Sequence, residues 1–191
     1  MPLTANRDWL LVVALALCVV VPLSPFFMNG SPFIGDSWAH LAIVRNASTT
    51  GRYSLSEYNE RWPLVNFVIL FMMLVPGIEG LYASMVVPLL AGLAAFPFYA
   101  FARRLSLSKE ASIFAAVVLT ANPLYAYVTF AGAVMKETAT YFLIPSMLLV
   151  TAVLVEKPHS RSALGLAILL GTGIALGHHF GSLMVLIFLW A

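Results

Sequence analysis

The chain has 191 residues, of which 61% are hydrophobic and only 9% charged, and its formal net charge is +2. Such a composition excludes an ordinary soluble domain, in which about a quarter of the residues are charged, and so small a net charge does not suggest a nucleic-acid partner. Cys18 is the single cysteine, so neither an internal disulfide nor a cysteine-based metal cluster can form.

The expected fold class is therefore an all-α integral membrane protein, a polytopic bundle of transmembrane helices. Its first apolar run, Trp9 to Met28, can cross about 30 Å of hydrocarbon, which takes roughly 20 residues. It has no small-x-small cleavage site and reads as a retained signal anchor. A long polar loop from Asn29 to Arg61 follows, holding the stretch "FIGDSWAHLAIVRNASTTGRY". Within it Gly35-Asp36-Ser37 marks a helix start, because Asp36 or Ser37 can cap free backbone N–H groups, and Gly51 marks the stop. The spacing predicts a helix over 36–50 with Trp38, Leu41, Ala42 and Arg45 on one side. Asp36 and His40 lie four apart and face the same direction. The plainest reading is an interfacial amphipathic helix, with Trp38 at the headgroups, Asp36 capping, and Arg45 and Arg52 against lipid phosphate.

The next apolar segment, "PLVNFVILFMMLV" over 63–75, is too short for an upright span and is framed by Trp62-Pro63 and Pro76-Gly77, since proline starts and stops helices. Its status decides the topology. Further spans are expected at about 81–102, 111–130, 138–155 and 163–177, with an incomplete one at 181–191. Basic residues cluster at Arg7, at Arg103, Arg104 and Lys109, and at Lys157 and Arg161. The positive-inside rule puts these clusters together in the cytoplasm. That requires segment 63–75 to stay on the outer face as a juxtamembrane or re-entrant helix. The N-terminus is then cytoplasmic, and Glu79, Lys136, Glu137, His178 and His179 all fall on the extracytoplasmic side of a multi-pass protein.

These residues have ordinary readings as well as functional ones. Lys136 can snorkel to the interface and Glu137 can favour a helix N-terminus. Adjacent histidines on one helix point about 100° apart, so His178 and His179 suit polar lining better than chelation of one metal. Asn46-Ala47-Ser48 is a glycosylation sequon, a frequent chance match. Pro88, Pro97, Pro123 and Pro145 read as kinks, and Gly165, Gly171, Gly173 and Gly177 as small faces for close helix packing.

The order of these segments resembles the GT-C superfamily of membrane glycosyltransferases, which includes oligosaccharyltransferases, protein mannosyltransferases and aminoarabinose transferases. The likeness rests on "GDSWAHLAIVRNASTTGRYS" after the first span, "WPLVNFVILF", "FARRLSLSKEAS" and "LTANPLYAYVTFAGAVMKETATYFL", and covers essentially the whole chain. It implies a sugar donor linked to polyprenyl or dolichyl phosphate, a protein, lipid or glycan acceptor, and an active site at the outer membrane face among membrane lipids. It further implies that Asp36 is the catalytic base or a metal ligand. Glu137 would stand near a divalent metal (Mg or Mn) and the lipid phosphate, with Lys136 a phosphate contact, although "MKET" departs from the two-acid pattern of oligosaccharyltransferases. Arg45 could stabilise the leaving phosphate, and His40, His178 and His179 could orient substrate. The resemblance also implies that residues 1–191 form the N-terminal part of a larger module. Two rival expectations are a small-molecule or lipid transporter with proline-broken spans and a catalytically silent GT-C-like assembly subunit.

Overall fold

A computed structural model describes residues 8–29, 36–56, 59–61, 63–121, 135–177 and 183. Every described element is helical. In chain order they are α1 (Asp8–Asn29), α2 (Asp36–Thr50), a 3-10 turn (Asn59–Arg61), α3 (Pro63–Met72), α4 (Gly80–Ala83), α5 (Val86–Leu93), α6 (Ala95–Arg104), α7 (Lys109–Ala121), α8 (Met135–Glu156) and α9 (Arg161–Gly177). The all-helical expectation holds among these residues. Positions 122–130 and most of 181–191, assigned above to spans, lie outside the described residues.

Helices α4 to α6 form one run, Gly80–Arg104, of 25 residues. Among the described residues it is the one helix long and apolar enough to cross a membrane. Trp9–Ser24, Pro63–Met72, Phe142–Glu156 and Arg161–Gly177 are shorter apolar helices. The 10 residues of α3 reach roughly 15 Å, half the thickness of a hydrocarbon core.

The interruptions in the long run have a covalent cause. Pro88 cannot donate to the carbonyl of Ser84, nor Pro97 to that of Leu93, and the breaks fall at Ser84–Met85 and Ala94. The freed Ser84 carbonyl instead accepts the Val87 N–H at 3.0 Å, so the chain continues in nearly the same direction. Pro145 lies inside α8 without breaking it.

The run Gly80–Arg104 is central. Helix α1 crosses α5 closely enough that a Cβ at Gly92 would stand 2.6 Å from the Cys18 carbonyl oxygen and 2.7 Å from Val19 Cα. Next to this crossing Leu15, Cys18, Ala95 and Ala116 form a small core. Helices α7 and α8 cover other sides of α6. Helix α9 folds back along α8 through a core of Met147, Val150, Ala163, Leu170 and Ile174.

Charge pairing defines the two ends of this assembly. Arg104, at the end of α6, bonds Glu156, at the end of α8, so α6 and α8 finish together and run parallel. Leu10 of α1 lines a cleft with Lys109, Glu110 and Ile113 of α7 at the same end. At the opposite end α2, α3, α4 and the start of α5 share a core of Val44, Val65, Ile69, Ala83 and Val87. Because α8 is parallel to α6, it begins at that second end. Helix α9, antiparallel to α8, finishes there, and α3 touches both.

Three substitutions test this architecture by thermal unfolding in detergent. Gly92→Ala forces a Cβ into the backbone of α1 and is expected to cost about 1–3 kcal/mol, whereas Gly165→Ala, with nothing within 4 Å, is expected to leave the midpoint unchanged or slightly higher. Ser106 adopts φ +65° at the αL position closing α6, where the Leu107 N–H returns to the Ala102 carbonyl at 3.3 Å. Glycine fills that conformation without the Cβ penalty, so Ser106→Gly should raise stability by roughly 1 kcal/mol.

Candidate functional site

The end where α2 meets α3 buries three large polar side chains, His40, Glu60 and Asn66. Along α2 the buried stripe is His40, Val44 and Ala47, a spacing of four and three residues that forms one helical face. Trp38 is half-exposed and Arg45 exposed. The side that packs therefore carries a histidine, and the tryptophan faces outward. On α3 the buried residues are Pro63, Val65, Asn66 and Ile69, which place one amide in an otherwise apolar helix.

The buried histidine and the buried amide meet. His40 Nδ1 lies 2.8 Å from Asn66 Oδ1, Asn66 Nδ2 lies 2.6 Å from the Tyr53 hydroxyl, and that hydroxyl lies 3.1 Å from the Glu60 carbonyl oxygen. A carbonyl can only accept, so Tyr53 must donate to Glu60 and accept from the Asn66 amide nitrogen. This leaves Asn66 Oδ1 facing His40, whose Nδ1 must carry the proton. The chain of donors thus runs one way, from imidazole to amide to phenol to main chain, and the far contact determines the tautomer at the near one.

The loop around this chain is held by local bonds. The Tyr53 and Phe67 rings pack at 5.0 Å between centroids and 44° between planes. Glu60 is buried and its Oε2 accepts from Ser56 Oγ at 3.0 Å. Burial raises the Tyr53 pKa above its ordinary value; the hydrogen bond from Asn66 works against this and the nearby Glu60 charge adds to it.

At the far end of α2, Gly51 adopts φ +66° and its N–H closes the helix on the Ala47 carbonyl at 2.9 Å. The hydroxyls of Ser48, Thr49 and Thr50 donate back to the Arg45 and Asn46 carbonyls. Beyond them opens a pocket of about 590 Å³ lined by Asn46, Thr50, Arg52, Tyr53 and Ser54.

The residues singled out in the sequence divide as follows. Asp36 is the first residue of α2, one turn before His40, and Lys136 and Glu137 occupy the first turn of α8. The side chains of these three lie outside the described set. His178 and His179 lie outside the described residues, directly after the last residue of α9. Helix α2, α3, the beginning of α8 and the end of α9 all belong to one end of the assembly, and of the singled-out residues His40 is the one whose side chain is built into its interior. Among the described residues no three His, Cys, Asp or Glu groups come together as a cage for a metal ion. Asn66, Tyr53 and Glu60 escaped the sequence reading. The available signal was the lone amide in "PLVNFVILF", because a polar side chain inside an apolar helix needs a buried partner. No family model, curated protein or solved structure matches this chain.

Asn66→Ala deprives both His40 Nδ1 and Tyr53 of a partner and should destabilise the protein by about 1–3 kcal/mol in denaturant unfolding. Combined with Tyr53→Phe, the loss should be smaller than the sum of the single losses, because both belong to one chain of bonds. The raised Tyr53 pKa means that the folded state favours the neutral phenol. The stability this supplies is fully present below the unfolded tyrosine pKa of about 10 and is lost as pH rises through the raised folded value. Unfolding midpoints should therefore fall above about pH 10, and less steeply in Tyr53→Phe.

Proposed function

We propose that the chain is a polytopic membrane glycosyltransferase of GT-C type. It would transfer a sugar from a polyprenyl-phosphate-linked donor to an acceptor at the extracytoplasmic membrane face. The observation that carries this reading is the clamp between α2 and α3. Its buried His40–Asn66–Tyr53 chain holds the helix that begins with Asp36 at the same end of the assembly as the first turn of α8, with Lys136 and Glu137.

The chemistry follows from charge. The acceptor nucleophile gives its proton to the Asp36 carboxylate and attacks the anomeric carbon. The bond from that carbon to the lipid-phosphate oxygen breaks, and its electron pair leaves with the phosphate. Negative charge grows on the leaving group, where the Lys136 ammonium and the positive N-terminal end of the α8 dipole stabilise it. Arg45, exposed on α2, is a further cation at this face, and His40 positions the helix that carries the base.

In this reading the end bearing Arg103, Arg104, Lys109, Lys157 and Arg161 is cytoplasmic, as the positive-inside rule requires. The run Gly80–Arg104 spans, and the apolar segments that contain α1, α7, α8 and α9 cross beside it. Helix α3, too short to cross, lies at the outer surface with α2. The exposed Phe67 and Phe71 of α3, four apart, and Leu74 in the turn after it give this end an apolar surface suited to the acyl boundary.

Two measurements test the proposal. Asp36→Asn in the intact protein should lower transfer from labelled polyprenyl-phosphate sugars by at least about 100-fold with an unchanged thermal midpoint, and unaltered turnover refutes the role given to Asp36. For topology, cysteines placed at Glu79 and Ser106, both exposed, should react with impermeant reagents from opposite sides of sealed vesicles. Labelling of both from one side contradicts the proposed orientation.

A further inference from the structure

We propose that the pocket at the C-terminal end of α2 binds a neutral glycan. Its volume of about 590 Å³ lies within the range of small-molecule sites. What selects the ligand is the direction in which its lining groups can still bond.

The Thr50 hydroxyl gives its proton to the Asn46 carbonyl at 2.8 Å and its oxygen already accepts the Arg52 N–H at 3.3 Å. Ser56 Oγ donates to the Glu60 carboxylate, so in the 2.8 Å contact between Ser54 Oγ and Ser56 Oγ the proton must come from Ser54. The Ser54 oxygen also accepts the Ser56 N–H at 3.1 Å. Both hydroxyls have therefore committed their protons inside the protein and offer a ligand only lone pairs. The negative end of the α2 dipole adds to this acceptor-rich side. Donors come from the Arg52 guanidinium and the Asn46 amide.

A phosphate or carboxylate, which only accepts, matches one part of this lining and is opposed by the rest. A sugar ring matches all of it. Its hydroxyls donate to Thr50, Ser54 and the helix end, its oxygens accept from Arg52 and Asn46, and its C–H face suits an aromatic surface. Tyr53 supplies that surface. Its hydroxyl is tied at both ends and its ring is packed on Phe67, so binding orders little that is not already fixed.

The pocket is distinct from the chemistry proposed for Asp36. Thr50 follows Asp36 by 14 positions along α2, about 21 Å at 1.5 Å per residue. The sugar held here is a different unit from the one transferred, such as another residue of a glycan chain. The site does not depend on the enzyme reading, because it rests on its own lining.

The test uses the intact protein in nanodiscs and saturation-transfer NMR. The probes are neutral mannose and glucose trisaccharides, a neutral glycolipid in the disc, and inorganic phosphate. A glycan on a lipid and a free oligosaccharide share the chemistry argued here, so saturation of either supports the site and the arm that responds identifies the source. Asn46→Ala, Thr50→Val and Arg52→Ala should each weaken binding by about tenfold. Asp36→Asn should leave it unchanged, so that failure of the catalytic proposal and failure of this one give different results. Absence of saturation in both glycan arms overturns the proposal. So does binding indifferent to all three pocket substitutions, and so does Arg52-dependent phosphate binding without glycan binding.

Discussion

A buried amide with a partner on each side is the constraint on which the rest depends. Asn66 sits in a helix whose other residues are all apolar or proline, at a position with no access to solvent. An amide taken out of water without partners costs several times what one apolar contact returns. The pose of α3 against α2 and the following loop satisfies it, with Oδ1 meeting His40 and Nδ2 meeting Tyr53. Apolar contacts among Val44, Val65 and Ile69 would tolerate sliding, since they have no direction. The amide restricts that freedom and so orients α2 along α3.

The same directional logic extends outward from Tyr53. Its hydroxyl reads the Glu60 carbonyl, Glu60 holds Ser56, and Ser56 determines which way the Ser54 hydroxyl points. A buried imidazole and an open pocket at the far end of α2 from Asp36 thus belong to one network. Its bonds are individually modest, but each leaves its neighbour a single donor or acceptor role, which is why the network has a polarity as well as a shape.

The helical assembly beneath supplies a rigid support. Proline at 88 and 97 breaks the hydrogen-bond ladder of the central run, yet the run continues because the freed Ser84 carbonyl finds the next N–H and because α1, α7 and α8 hold it on several sides. Contact at Gly92 brings two backbones together where any side chain would separate them. At the other end Arg104 and Glu156 tie the exits of α6 and α8, and a pair this exposed contributes little stability. It marks which ends finish together, and with them the end at which α8 begins.

Much of this was legible before any coordinates. Helical periodicity and length identify the helices; Asp36 and Gly51 punctuate α2 because a short polar side chain suits a helix start and a glycine suits positive φ at its end, and Pro63 opens α3 for the matching reason. Composition alone makes the protein apolar, and the periodicity makes its described elements helical. These are local properties, carried by neighbours within a turn of helix. Only the tertiary structure decided which face of α2 packs, and it chose the side with His40 over the side with Trp38. It also joined residues 40, 53, 60 and 66 into one chain and turned the polar tail of α2 into a pocket. Hydrogen bonds between residues seven to 26 positions apart follow from how helices and loops meet, and that is settled by satisfying buried polar groups across the whole assembly rather than by any pattern within one segment.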